Sequence, residues 1–562
     1  MVEANAPTLL HQFQVWERER PDAIYLTQPF PDGSVVDYSW AEVGLQARCM
    51  AAYLRSLRLP AGSSIAILGK NSAHWIIADL AIMMAGHVSV PMYPTLGAET
   101  ARYILDHSEA RLLFVGKLDG SSDNWPQIEK MLPPDLPLLG LPMTPRADIP
   151  QWDDLVARHA PLQPVHDAMP EELCSIIYTS GSTGQPKGVM HNYRSMMAPG
   201  PAFTEMIVIT REDRLLSYLP LAHAAERAIV ESSSLYVGLH MYFCNNMDSF
   251  VHDIRRARPT IFFSVPRLWT KFQQGVNAKL SPSKQRRLFA LPLVSRLVKR
   301  KILRGLGLDQ VRVAITGSAP LAADIIAWYR RLGLTLLEGY GMSENLAVSH
   351  SCRPGDVRIG YVGTCLRGVQ ARIAPTGEVL VRSPGQMMGY YKRPELTAQV
   401  MLPDGFFCTG DRGEIDADGR LRITGRVKDL FKTARGKYVA PALIENELGN
   451  HPKLESACVT GPGQPQPFAL LRLAPEVQQV VDADPGLRNT LDAELAALLE
   501  QVNANVEHHE QLGYAVVVKD SWTTENGLLT PTLKIKRQAI EDRYLDNAGA
   551  WLAMDQKVIW EK

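Results

Sequence analysis

The sequence predicts an α/β fold over its first three-quarters, then an antiparallel β region and a smaller α+β part. Short apolar strands alternate with helical segments, a pattern typical of parallel sheets covered by helices. From about Glu378 apolar and polar residues alternate instead, and Asp416–Gly419 supplies a turn. Beyond Arg426 the clearest feature is a helix with one apolar face.

The individual elements follow from the local pattern of apolar residues. Ile65–Leu68 is an apolar run of strand length, and a helix is predicted over Ser72–Ala85 after polar Asn71 or Ser72. The further predicted elements are helix Ala101–Asp106, strand Leu112–Val115, helix Phe250–Ala257, strand Thr260–Ser264, strand Val311–Thr316, helix Ala322–Leu332 and strand Thr335–Glu338. The apolar face of the late helix, which we interpret as core, consists of Leu491, Leu495, Leu498, Leu499, Val502 and Val506.

The composition is that of an ordinary globular protein. Of the 562 residues, 46% are hydrophobic and 21% charged, and the formal net charge of zero argues against nucleic-acid binding. The seven cysteines stand singly, which favours reduced thiols in the cytoplasm over a disulfide framework. We expect no secretory signal, and no membrane span either, because Asp79 and His87 interrupt the most apolar stretch.

A loop rich in Gly, Ser and Thr is the strongest local signal. It follows a predicted strand, Cys174–Tyr178, and ends in Lys187. Such a loop brings backbone N–H groups and hydroxyls against a phosphate chain without steric hindrance. It is not a Walker A loop, because Lys187 follows Pro186 and precedes Gly188. Phosphate binding is therefore the prediction, with a flexible surface linker as the alternative.

The motifs around this loop give the chain a resemblance to a known family. SIIYTSGSTGQPKGVMHNY, TGSAPL, LLEGYGMSEN, CTGDRGEI, ITGRVKDLFK and LTPTLKIKR occur in this order, between about Trp16 and Tyr544. In this set the chain resembles the adenylate-forming superfamily, and within it the long-chain fatty-acyl-CoA synthetases. The resemblance implies that a carboxylate attacks the α-phosphate of ATP with Mg²⁺ bound, releasing pyrophosphate, and that the thiol of coenzyme A then displaces AMP.

The resemblance also assigns roles to residues of the nucleotide site. The phosphate loop supplies Thr179, Ser180, Gly181, Ser182, Thr183, Gly184 and Lys187. The pocket for adenine and the α-phosphate supplies Gly317, Ser318, Ala319, Gly339, Tyr340, Gly341, Met342 and Ser343. Asp411 is the expected ribose ligand, Arg426 the ribose and phosphate contact, and Glu344 the Mg²⁺ ligand.

The same resemblance implies two domains that change their relative orientation between the half-reactions. Residues 1–425 would hold two α/β subdomains and a distorted β-barrel, and residues 426–562 a small mobile α+β domain. That domain would carry the catalytic Lys534, with Lys428 at the hinge. The loop that approaches coenzyme A would consist of Arg435, Gly436 and Lys437.

Other segments indicate which carboxylic acid is activated and which thiol accepts the acyl group. LPLAHAAERA resembles the acyl segment of long-chain synthetases, which places His223 by the carboxylate, with Glu226 and Arg227 building the site. Trp269 matches an aromatic residue that gates the acyl tunnel in some relatives, and plain core is the alternative. We expect a medium to long fatty acid. Transfer to a carrier-protein thiol by a fatty-acyl-AMP ligase is the alternative to coenzyme A.

A basic segment stands apart from these motifs. Residues 284–304 hold eight Lys or Arg and no acidic residue, with apolar residues between them. A solvated helical hairpin, docking on an anionic membrane at its inner face, and attraction of the coenzyme A phosphates are the three interpretations. The sequence leaves these open, together with whether the chain forms a homodimer.

Overall fold

Helix-covered sheets form the N-terminal part of the computed structural model, which describes residues 7–118, 123–179, 185–484, 486–524, 526–530 and 534–561. The largest sheet is seven-stranded, and its central strands are parallel. In spatial order its strands are Gly389–Tyr390, Lys187–Asn192, Leu173–Thr179, Val88–Met92, Ser64–Leu68, Leu112–Val115 and Leu138–Gly140.

Two further sheets complete the α/β part. A five-stranded sheet begins with three parallel strands and runs in the order Ile261–Ser264, Val313–Thr316, Leu336–Tyr340, His350–Ser351 and Thr364–Cys365. A four-stranded sheet runs in the order Val35–Ser39, Ile24–Pro29, His240–Phe243 and Arg214–Ser217. The helix-covered parallel sheets predicted from the alternation are thus present, and the antiparallel strands at their edges are an addition to the prediction.

The expected β region is an antiparallel four-stranded sheet. Its strands are Gln370–Ile373, Glu378–Arg382, Phe407–Ile415 and Leu421–Arg426. The C-terminal part follows with a short hairpin, Phe431–Lys432 and Tyr438–Val439, and its own sheet. That sheet has the order Leu454–Thr460, Phe468–Leu473, Ala515–Val517 and Val558–Trp560.

Helices cover these sheets. The helices of the N-terminal part are Leu9–Glu19, Trp40–Ser56, Ala73–Met84, Ala98–Ser108, Trp125–Met131, Trp152–Arg158, Tyr193–Met197, Pro199–Ile207, Ala224–Glu226, a π-helix Arg227–Ser232, Ser233–Val237, Phe250–Ala257, Pro266–Lys279, Pro282–Phe289, Pro292–Leu306, Ala323–Leu332, a 3₁₀ turn Ser343–Asn345 and Pro394–Val400. Those of the C-terminal part are Pro441–Leu448, Pro475–Ala483, Leu487–Asn503, Arg537–Tyr544, a 3₁₀ turn Leu545–Asn547 and Ala548–Leu552.

Local chemistry explains where the central helices begin. Helix Ala73–Met84 starts after Ser72, whose hydroxyl accepts a hydrogen bond from the backbone of Trp75. Every residue of this helix is buried, which accounts for its apolar sequence without a membrane. Among the described residues, no helix is long and apolar enough to cross a membrane.

Candidate active site

The carboxyl ends of two neighbouring parallel strands, Val313–Thr316 and Leu336–Tyr340, form the floor of the candidate active site. The loops that leave them approach each other so closely that a Cβ on Gly317 would lie 3.1 Å from the carbonyl oxygen of Gly339. Gly341 is tighter still, because its Cβ would lie 2.6 Å from Cα of Ala347. Carboxyl strand ends are where open α/β sheets bind ligands. The sequence-predicted adenine segments, including Ser318, Ala319, Met342 and Ser343, thus lie side by side here.

One wall of the site is a chain of hydrogen bonds from Tyr340 to Asp411 and Arg426. The Tyr340 hydroxyl donates to Oδ2 of Asp411 at 2.7 Å, and Nε of Arg426 lies 3.1 Å from Oδ1. Asp411 and Arg426 face each other across the paired strands Phe407–Ile415 and Leu421–Arg426. Burial raises the pKa of Tyr340 well above its usual value, and the neighbouring Asp411 reinforces the shift. This wall offers a neutral phenol, a carboxylate and a guanidinium in a row.

Lys534 lies beside this wall, although it belongs to the C-terminal part. Desolvation by the surrounding protein lowers the pKa of its ammonium, Arg426 lowers it further, and Asp411 opposes the shift. The residue nonetheless stays open to solvent on one side. Its backbone is held independently of its side chain, since its N–H donates to Oγ1 of Thr530 at 3.0 Å and its carbonyl accepts from the N–H of Thr530 at 2.8 Å. The C-terminal part therefore presents an ammonium to the wall formed by Tyr340, Asp411 and Arg426.

His223 lies close enough to Lys534 for the two side chains to interact electrostatically. Burial lowers the pKa of His223 to about 4, and the charge of Lys534 contributes to that shift. Its Nδ1 accepts the backbone N–H of Ala225 at 3.1 Å and so caps the helix Ala224–Glu226. A neutral imidazole whose Nδ1 accepts carries its proton on Nε2. At neutral pH His223 is therefore an uncharged hydrogen-bond donor.

Tyr390 connects the phosphate-loop lysine to the expected metal ligand. The Nζ of Lys187 lies 5.0 Å from the centre of the Tyr390 ring, and the Tyr390 hydroxyl donates to Oε1 of Glu344 at 2.8 Å. Tyr390 is a site residue that the sequence motifs did not predict, and its place in the segment GYYKRPE was the available signal; in the structure it pairs with strand Lys187–Asn192.

His191 is a second residue that the sequence analysis missed. This buried histidine donates from Nε2 to the backbone carbonyl of Ser343 at 2.8 Å, with its Nδ1 3.1 Å from the Ser195 hydroxyl. Burial lowers the pKa of His191 to about 4. His191 thus holds the strand after the phosphate loop against the Ser343 segment. Its position a few residues after that loop was the sequence signal that could have identified it.

Part of the predicted phosphate loop lies outside the described residues. These are Ser180, Gly181, Ser182, Thr183 and Gly184. The residues on either side of this loop, Thr179 and Lys187, are paired across two antiparallel strands, so they lie next to each other. The strand that begins at Lys187 also pairs with Gly389–Tyr390.

Buried polar and charged side chains anchor the segment that carries His223. The carboxyl group of Glu226 accepts from Oγ of Ser217 at 2.9 Å and from the backbone of Tyr218 at 3.1 Å, and burial raises its pKa to about 8. Arg227, which is fully buried, lies 2.7 Å from Asp79 and 2.9 Å from Glu231. Removing a buried charge from such a set strongly destabilises a protein. Glu226 and Arg227 therefore fix the backbone from which His223 projects.

Trp269 is fully buried in an aromatic cluster. Its ring makes edge-on contacts with Phe262 and Tyr329, with centroids 5.3 and 5.0 Å away, and its carbonyl accepts the Tyr329 hydroxyl at 2.8 Å. Such surroundings favour the core alternative over a tunnel gate.

The hinge and coenzyme A segments lie in exposed turns. Lys428 is exposed in the turn that follows strand Leu421–Arg426. Arg435, Gly436 and Lys437 form the exposed turn of the hairpin Phe431–Lys432 and Tyr438–Val439. Arg537 ties the lysine segment to the hinge, since its Nη2 donates to Glu445 at 2.6 Å and its Nε lies 3.7 Å from Asp429.

Comparison with known proteins establishes the family. Residues 13–391 match the model of the AMP-binding enzymes, and residues 428–550 match the AMP-binding enzyme C-terminal domain. The chain belongs to the AMP-binding enzyme family. It is 32% identical to a long-chain-fatty-acid–CoA ligase of Mycobacterium bovis, over 95% of this chain and 96% of that one. It is 30% identical to long chain acyl-CoA synthetase 6, peroxisomal, of Arabidopsis thaliana, over 96% and 85%.

Solved structures confirm the fold. The adenylation domain of a carboxylate reductase from Mycobacterium chelonae superposes with a TM-score of 0.81 at 23% identity, covering 98% of this chain and 92% of that one. An o-succinylbenzoate coenzyme A synthetase of Bacillus subtilis in complex with AMP gives a TM-score of 0.72 at 21% identity, covering 95% and 98%. The α/β architecture with a large N-terminal and a smaller C-terminal part is thus confirmed.

Proposed function

We propose that this protein is an AMP-forming acid–thiol ligase that converts a fatty acid to its acyl-CoA through an acyl-adenylate. The observation that carries the proposal is one cleft in which Lys534, the Asp411–Arg426 pair and His223 converge from segments far apart in the chain. The relatives named as fatty-acid–CoA ligases match nearly the whole chain and support both half-reactions.

Each wall of the cleft suits one substrate. Asp411 accepts hydrogen bonds from ribose hydroxyls, and Arg426 and Lys534 offset the charge of the phosphates. His223 donates its Nε2–H to the acyl carboxylate without adding charge, because its low pKa keeps it neutral. The carboxylate oxygen then attacks the α-phosphorus, the bond to the bridging oxygen breaks, and pyrophosphate leaves. Donors placed where charge develops stabilise such a transition state.

Glu344 suits the expected magnesium ion. Its side chain is partly exposed, and Tyr390 occupies only one of its two oxygens with a described hydrogen bond. The described ranges contain no cluster of three or more His, Cys, Asp or Glu for a metal. Mg²⁺ is typically bound by one or two carboxylates together with substrate phosphates, so one carboxylate fits. Bound there, the ion would offset the negative charge of the phosphates.

The second half-reaction requires a different arrangement of the C-terminal part. In the present arrangement Lys534 faces the cleft, whereas the turn with Arg435, Gly436 and Lys437 lies on an exposed hairpin. We propose that residues 426–562 rotate about Lys428 after adenylation, so that this turn approaches coenzyme A. The boundary after residue 425 is supported by the separate sheet of the C-terminal part.

We further propose a medium to long acid and a cytoplasmic location with peripheral contact to an anionic membrane. The names of the relatives and the buried apolar surroundings of the His223 segment support the first proposal. Seven unpaired cysteines support the cytoplasm.

Pyrophosphate release tests the function. Released pyrophosphate is measured with saturated acids from acetate to stearate, with and without coenzyme A. We expect release that depends on a fatty acid, with acyl-CoA formed only when coenzyme A is present. A carrier-protein ligase would release pyrophosphate but form no acyl-CoA, and a protein that only binds ligands would release none.

A further inference from the structure

Two leucines on the helix Pro292–Leu306 are unusually exposed. Leu293 is 84% exposed and Leu297 is 71% exposed, and they lie one helical turn apart on the same face. Leu291, at 54%, and Val294, at 37%, extend this strip. Single exposed leucines are ordinary on protein surfaces, whereas an apolar strip marks an interaction site.

Cations surround the strip. With 3.6 residues per turn, Arg296, Arg300, Lys301 and Arg304 flank the two leucines on the outer face of the helix. All four are exposed. The whole segment 284–304 holds eight Lys or Arg and no acid. We call the four apolar residues and these four cations the hairpin face.

The opposite side of the hairpin is firmly attached to the domain. Gln285, which is buried, accepts the indole N–H of Trp328 at 2.9 Å and donates to Oδ1 of Asn277 at 2.8 Å. Ile302 and Leu303 pack against the core cluster that also contains Trp269. The hairpin face is therefore a fixed surface, and its outer side chains are not what holds the hairpin in place.

We propose that the hairpin face docks on an anionic phospholipid bilayer. The leucines would enter the boundary between headgroups and acyl chains, and the cations would contact the phosphates, as interfacial amphipathic helices do. A groove of about 440 Å³ beside the helix, lined in part by Arg296, Lys299 and Arg300, offers a seat for a headgroup phosphate. This inference rests on the proposed function, because free fatty acids partition into bilayers.

Other occupants fit the hairpin face less well. A second copy of this chain docked on the same face would bring two sets of like charges together. The phosphates of coenzyme A would use the cations but leave the exposed leucines without a role. A bilayer uses both.

Two variants and two control variants elsewhere on the surface test the docking. Leu293→Ser with Leu297→Ser removes the apolar part, and Arg296→Gln, Arg300→Gln and Lys301→Gln together remove charge. Arg304 is spared because its Nε lies 3.9 Å from Asp309. The controls are Leu45→Ser, at a leucine 52% exposed elsewhere, and Lys519→Gln with Lys557→Gln, at exposed lysines of the C-terminal part. Binding is measured by co-sedimentation with phosphatidylcholine vesicles, with and without phosphatidylglycerol.

We expect wild type and controls to bind the anionic vesicles at low salt and to detach at high salt, because salt screens exposed charges. Each basic residue near an anionic surface contributes about fivefold to binding, so the charge variant should lose on the order of a hundredfold. The leucine variant keeps its charges but should already bind more weakly than wild type at low salt, because its apolar contact with the bilayer is gone. Pyrophosphate release with octanoate in vesicle-free buffer should be unchanged in all variants.

The results that would contradict bilayer docking can be told apart from one another. If the charge variant raises KM for coenzyme A and leaves vesicle binding intact, the cations serve that substrate and the proposal is overturned. If the leucine variant changes only the mass measured by light scattering, the face joins two copies. If no variant changes vesicle binding, the face is merely solvated. Absence of pyrophosphate release from wild type would instead contradict the proposed function.

Discussion

Replacing Lys534 by Ala separates the two half-reactions. In the present arrangement Lys534 lies beside Asp411, Arg426 and His223, and the proposed rotation of the C-terminal part would remove it from them. Its removal deletes one charged donor from the transition state of adenylation, and such a loss costs on the order of 10²–10³ in rate, or about 2.7–4 kcal/mol. Arg426 remains on the same wall and keeps part of the stabilisation, so we expect the loss not to exceed this range. Thioester formation from supplied acyl-adenylate should proceed at the wild-type rate.

The structure also provides the controls for this experiment. The backbone of residue 534 is held by Thr530, so truncation of the side chain should leave the fold intact, which an unchanged melting temperature would verify. Lys536→Ala, two residues further on, should affect neither half-reaction. Pyrophosphate release without coenzyme A measures adenylation, and consumption of acyl-adenylate with coenzyme A measures transfer. Equal losses in the two assays would refute the role assigned to Lys534.

Three further predictions concern the hinge, the aromatic cluster and a buried carboxyl. Lys428→Pro should leave adenylation intact and block transfer to coenzyme A, because proline fixes φ at a residue that must change conformation. Normal overall turnover of this variant would show that the pivot lies elsewhere. Trp269→Ala should destabilise the protein by about 3–5 kcal/mol and lower its melting temperature without altering the acyl-chain profile, whereas a changed profile at constant melting temperature would indicate a gate. As the pH rises from 4.5 to 8, the free energy of unfolding of Glu226→Gln should increase relative to that of wild type. The folded pKa of Glu226 lies near 8, so its contribution to stability is complete below pH 4.5 and is lost as the pH rises, at up to about 1.4 kcal/mol per pH unit. Chemical denaturation of both proteins at pH 5 and pH 8 measures their free energies of unfolding. A difference between the two proteins that is the same at both pH values would contradict this prediction.

The sequence by itself determined the α/β architecture and the order of the chemical motifs. Strand Leu112–Val115 and helix Phe250–Ala257 were predicted with their exact bounds, because apolar periodicity records both backbone hydrogen bonding and burial within a single element. The motif residues at the carboxyl strand ends, such as Tyr340, could likewise be assigned to a nucleotide site before any geometry was known. Their individual roles stay predictions, as does the boundary after residue 425.

Only the tertiary structure decided which of these residues meet. Tyr390 donates a hydrogen bond to Glu344, which lies 46 residues away in the sequence, and no local sequence pattern predicts that contact. The segment Gly461–Leu470 is rich in Pro and Gln, so its sequence does not place the central strands of the C-terminal part, yet Phe468–Leu473 is an inner strand of that sheet. The sequence leaves both a gate and a core position open for Trp269, and the aromatic neighbours that surround it in the structure favour the core. A local pattern reports how much of a residue is buried, whereas the partner that buries it depends on packing between elements distant in the chain.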